Sequence, residues 1–90
     1  MTISTELLDA YKAALGGISD YAAARKIGVT QQMISRIRNN DSNFSPEKVL
    51  FLTENANLDS IEWLLKYHRE RAKCDKEKAI FDTLLSRMVA

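Results

Sequence analysis

The stretch DYAAARKIGVTQQMISRIRNN, running from Asp20 to Asn40, decides how the chain is read. Small and apolar residues recur in it at helical spacing: Tyr21, Ala23, Ala24 and Ile27 first, then Met33, Ile34 and Ile37. Residues three and four apart share a helix face, so the pattern predicts two short amphipathic helices. Gly28 separates them, because glycine takes the positive φ of a tight turn without a Cβ clash. Ser19 or Asp20 opens the first helix, which ends at Ile27. Thr30 caps the second, from Gln31 to about Asn39, since its hydroxyl can accept a bond from an otherwise free N–H of the first turn. Ala24 is small where two steeply crossing helices must approach. Val29, Ile34 and Ile37 fasten the second helix to a core, which leaves Gln31, Gln32, Ser35, Arg36 and Asn39 facing outwards.

That outward face is unusual for solubility alone, where Glu and Lys are favoured. Each of its groups can hydrogen-bond a base edge or a phosphate: glutamine pairs in a bidentate way with adenine, and arginine with guanine. The free N–H groups and partial positive charge of the helix N-terminus also suit a phosphate. Net charge is only +1 and argues nothing by itself. Its distribution says more: residues 21–40 hold Arg25, Lys26, Arg36 and Arg38 with no acid, +4 locally, against −2 for residues 1–20 and −1 for residues 41–90. A solvated basic face is the plain alternative on charge grounds alone.

Ninety residues, 46% apolar and 28% charged, make one ordinary folded domain with a modest core. Sustained two-residue alternation is missing, so the chain reads as all-α. One cysteine, Cys74, rules out an intrachain disulfide, no N-terminal stretch resembles a secretion signal, and no apolar run is long enough for a membrane span. These features favour a reducing cytoplasm. His68 and Cys74 stand six apart with no second His or Cys, which is no metal-ligand spacing. With one histidine and no glycine-rich phosphate loop, neither a catalytic site, a metal, a cofactor nor a small-molecule ligand is expected.

Around the central pair, a first helix is expected from about Ser4 to Leu15, with Ile3, Leu7, Leu8, Tyr11, Ala14 and Leu15 inward and Gly16-Gly17 ending it. Ser45-Pro46-Glu47 opens a fourth helix running to about Ala56, through a serine cap, a first-turn proline and an acid near the dipole's positive end. Asp59-Ser60-Ile61-Glu62 has capping-box spacing and opens a fifth, with Ile61, Leu64, Leu65 and His68 on one face beside Trp63 and Tyr67. Trp63, Leu64 and Tyr67 read as core rather than as a ligand box. Beyond Arg69 the periodicity fits either an unbroken helix from Ser60 to Met88 or a break near Cys74-Asp75, and the break is preferred here. Ile80, Phe81, Leu84, Leu85 and Met88 then form the apolar stripe of a sixth helix. That stripe is either a dimerisation or partner-binding surface or a face folded back on the core. The expected division is residues 1–74 for the DNA-binding domain and 75–90 for the C-terminal helix.

The segment from Asp20 to Asn40 resembles the helix-turn-helix of the phage repressor and Cro family, the XRE-like group, in which Ala, Gly and Val or Ile occupy the spacings of Ala24, Gly28 and Val29. Thr30-Gln31-Gln32 is similar to the opening of the recognition helix in several lambdoid repressors. The resemblance extends from about Leu7 to Tyr67 and implies a lambda-repressor-like domain of five helices, here with the optional sixth. It also implies base reading by Gln31 and Gln32, base or phosphate contacts by Ser35 and Arg36, and backbone contacts by Asn39 and Asn40. Ser35 and Arg36 are counted here among the base readers, and Thr30, Arg25, Lys26 and Arg38 are added to the backbone contacts. The chain departs from the family at Asp20, where glutamine usually helps grip a phosphate. An acid there repels phosphate, so a capping role is expected for it instead. Asn40 replaces a common glycine, a mild change because asparagine tolerates left-handed backbone.

The implied function is that of a phage or prophage transcription regulator acting by operator occupancy. One recognition helix reads about 4–5 base pairs, too few for an operator, so a homodimer on a pseudo-palindromic site is expected. Two other classes fit the residues: an antitoxin that masks a toxin with its C-terminal helix, and a phage-encoded interaction module that inhibits a host factor and no longer reads DNA.

Overall fold

A computed structural model describes residues 2–89; Met1 and Ala90, the outer ends of the two expected units, lie outside the described residues. Six helices form within that range and no strand: α1 (Ile3–Ala14), α2 (Asp20–Ile27), α3 (Gln31–Arg38), α4 (Pro46–Asn55), α5 (Ser60–Arg71) and α6 (Asp75–Val89). Five of them begin where a side chain takes up free N–H groups. Thr2 caps α1 in a reciprocal box with Thr5, and Ser19 accepts from the Ala22 N–H at 3.1 Å. Thr30 accepts from Met33 at 3.1 Å, Ser45 from Lys48 at 3.3 Å, and Asp59 from both Ile61 and Glu62.

The core lies where α1 to α5 converge. Leu7, Leu8 and Tyr11 of α1 meet Ala23, Ala24 and Ile27 of α2, Ile34 and Ile37 of α3, Val49 and Leu52 of α4, and Tyr67 of α5. Phe44, buried at 1% exposure, adds an aromatic from the loop before α4, where no periodicity pointed to one. Two buried hydroxyls hold the connections. Ser4 Oγ accepts from the Phe44 N–H at 3.1 Å and donates to Asn43, tying that loop to α1. Thr53 donates back into α4 and bonds Ser60 Oγ at 2.7 Å, joining α4 to α5.

Several expected facings are corrected. Ser4 and Thr5 take buried places on α1 while Ala14 is exposed, because the helix rolls to bring Ser4 against the Phe44 loop. Tyr21, expected inward, is 57% exposed. On α5, Ile61 is 66% exposed and His68 is exposed, whereas Tyr67 is buried with Trp63 and Leu64 packed against the core. The cause is that α5 packs on two sides: Trp63, Leu64 and Tyr67 meet the core towards α1 and α4, and His68 stacks on Phe81 of α6 at 6.2 Å.

The chain breaks after α5. Ala72 is extended, α6 starts at Asp75, and the unbroken helix from Ser60 to Met88 is excluded. α6 folds back along α5, with Asp82 paired to Arg69 and with Leu85 and Met88 beside Asp59 and Glu62. Among the described residues no side chain of α6 enters the buried core, so the expected stripe does not close over α1 to α4.

Candidate nucleic-acid interface

The angle between α2 and α3 is set by backbone chemistry at Gly28. Its φ of 83° lets both the Gly28 and Val29 N–H groups return to the Ala24 carbonyl, at 2.9 and 3.0 Å. Lys48 of α4 donates to the Ile27 carbonyl at 3.0 Å, bracing the turn from outside. Nothing in the spacing of α4 marks Lys48 for this task, because the carbonyl it reaches is set by the packing of α4 beneath the turn.

With the turn set, α3 divides cleanly. Ile34 and Ile37 are 3% and 0% exposed, and Met33 packs at the edge of the core. Gln31, Gln32, Ser35 and Arg36 are all exposed on the other side, next to exposed Thr30 and Asn39. The four base-reading candidates thus share one open face, and none is held by a side-chain bond within the described residues. Asn40, at φ 62°, ends the helix in left-handed backbone, with its own N–H on the Ile37 carbonyl and the next N–H on that of Arg36. Arg25 and Lys26 lie exposed on the last turn of α2, the Arg25 guanidinium 5.9 Å from the centre of the Tyr21 ring.

Asp20 and Arg38 depart from their expected roles. Ser19, not Asp20, is the cap of α2. The Asp20 carboxylate instead pairs with Lys12 of α1 at 2.7 Å and with Arg38 of α3 at 2.9 Å, and Arg38 also reaches Asp9 of α1 at 2.8 Å. The Arg38 hydrogen bond is the main cause that holds the Asp20 carboxyl down at about 2; burial opposes it and Lys12 adds to it. The same bond pushes the Arg38 guanidinium further up its already high range. Arg38 therefore differs from Arg36: its charge is already met by two carboxylates, and it ties three helices together. Sequence reasoning missed this network because Asp9, Lys12, Asp20 and Arg38 meet only once α1, α2 and α3 are packed.

The dimer-interface candidates divide as well. Phe81 and Leu85 are half-buried towards α5, while Ile80, Leu84 and Met88 remain 61%, 37% and 38% exposed. No helix among the described residues is long and apolar enough to cross a membrane.

Compared with known proteins, the chain matches the family model described as helix-turn-helix over residues 10–63, from the end of α1 into α5. Nothing among the curated proteins or the solved structures matches it. The match spans more than half the chain and includes the capped α3, its Gly28 turn and the open polar face just described. The chain therefore belongs to the helix-turn-helix family of DNA-binding transcription regulators.

Proposed function

We propose that the protein is a sequence-specific regulator of phage or prophage type, similar in action to Cro and the small repressors, and that it works by occupying an operator. Two copies bind a pseudo-palindromic site, each placing α3 in the major groove with Gln31, Gln32, Ser35 and Arg36 at the base edges. Thr30, Arg25, Lys26, Asn39 and Asn40 hold the flanking phosphates, which fix register without reading sequence. Arg38 is assigned a supporting part, keeping α3 at its angle through Asp9 and Asp20. Occupancy blocks polymerase sterically, and no catalytic step is involved.

The observation that carries this reading is the division of α3: isoleucines sunk in the core, and an acid-free row of exposed amide, hydroxyl and guanidinium groups opposite. Asp20, whose acid would repel a phosphate and so favours an interaction module without DNA binding, has its charge met internally by Lys12 and Arg38. The antitoxin reading keeps one observation in its favour, the open edge of α6, and a toxin-like reading frame beside the gene would support it.

Selection of bound sites from a random duplex pool tests the proposal, because it reports binding, half-site and spacing together. Gln32→Ala and Arg36→Ala should each then weaken binding to the selected site by about 1–3 kcal/mol, with the fold intact by circular dichroism. Affinity should also fall steeply with ionic strength, as phosphate contacts require. Recovery of no enriched sequence, or unchanged affinity in both variants, would refute the assignment.

A further inference from the structure

We propose that the outer edge of α6 is a two-fold interface between two copies of this chain, closed at each end by Glu77 of one copy against Arg87 of the other. The inference deepens the dimer reading above and rests on it for its biological purpose.

Successive residues of a helix are about 100° apart, so α6 carries its apolar groups as one broad stripe. α5 covers only the inner edge of that stripe, Phe81 and Leu85. The outer edge, Ile80 and Leu84, stays in solvent, with Ile80 at 61% exposure. Along this edge Glu77, Ile80, Leu84 and Arg87 follow a three-four-three spacing, which keeps residues on one seam between paired helices. Glu77 and Arg87 are both exposed, and neither forms an ion pair among the described residues.

The seam is complementary to itself in one direction only. Run antiparallel, as a perpendicular two-fold demands, Ile80 of each copy faces Leu84 of the other and Glu77 faces Arg87. Both pairings share a single midpoint at position 82, so one axis satisfies all four contacts. Run parallel, Glu77 meets Glu77 and Arg87 meets Arg87, which repel. The second copy is therefore the occupant whose charges match. α6 packs chiefly against α5, so this pairing does not draw on the exposed face of α3. One edge of a fifteen-residue helix per copy, about 22 Å long, gives a contact smaller than a standard stable interface. Exchange between monomer and dimer follows, with an operator tightening it by holding two copies together.

Sedimentation equilibrium of the full chain without DNA, from low micromolar to near-millimolar concentration, tests the interface. A monomer–dimer equilibrium is expected, and Leu84→Glu should abolish it while the helical signal stays unchanged. Glu77→Arg and Arg87→Glu should each raise the dissociation constant about tenfold or more, since each places like charges together at both ends, and the double reversal should return it to near the starting value. A chain monomeric throughout, single reversals without effect, or a double variant no better than the singles would each overturn the proposal. The DNA reading fails or stands separately: Leu84→Glu should still bind an isolated half-site from the selected operator. Self-association with no DNA binding would keep the interface and remove the regulator.

Discussion

α3 and α6 are both amphipathic, yet the fold treats them in opposite ways. α3 spends both of its isoleucines in a core built from five helices, and its polar side alone meets solvent. α6 has more apolar residues, rests on α5, and leaves half its stripe exposed. The difference teaches that apolar content does not tell how firmly an element is held. α3 is held by complementary neighbours on every inward side, which is what presenting a row of hydrogen-bonding groups at constant geometry requires. Among the described residues α6 packs chiefly on α5, which leaves its outer edge in solvent.

The sharpest way to break this contrast is to remove equivalent apolar groups from the two helices. Ile37→Ala should cost about 2–5 kcal/mol in urea unfolding, since it opens a cavity in a fully buried site. Leu84→Ala should stay within about 0.5 kcal/mol in the same assay at concentrations where the chain is monomeric. Equal losses would show that α6 belongs to the core after all.

A second test concerns what holds α3 at its angle. Gly28→Ala places a Cβ in left-handed backbone, in ordinary contact with the Lys48 Nζ at 3.8 Å but in an unfavourable conformation, so about 1–2 kcal/mol of stability should be lost. A change near zero would mean the turn relaxes freely, and operator affinity should then be measured for the same variant.

The two regions differ in electrostatics too. Asp20 joins α1, α2 and α3 through a shared network, whereas Arg69 and Asp82 form one exposed pair between α5 and α6. Asp20→Asn should cost up to about 1 kcal/mol near neutral pH, discounted for the partial exposure of the group. Its carboxyl titrates lower in the folded chain, about 2 against 3.8, so the stabilising share is complete above about pH 4 and disappears as pH falls towards 2. The gap between parent and variant in urea midpoint should therefore close over that window, and a gap that persists at pH 2 would assign the effect to packing. Smallest of all, Arg69→Ala should leave the midpoint unmoved, because solvent screens that pair.

Much of this protein was legible from residues close together in the chain. Caps at Ser45 and Thr30, the Gly28 turn, and the opposition of Ile34 and Ile37 to Gln31, Gln32, Ser35 and Arg36 all follow from helical spacing and local backbone chemistry, which act over a few residues. Other features depended on which surfaces met. Tyr21 turned to solvent, Phe44 and Ser4 were buried together, Lys48 reached the Ile27 carbonyl, and Arg38 joined Asp9 and Asp20 instead of standing free. Those contacts link positions from 18 to 40 residues apart. A helical stripe states that a face is apolar, but only the packed structure chooses the neighbour that covers it.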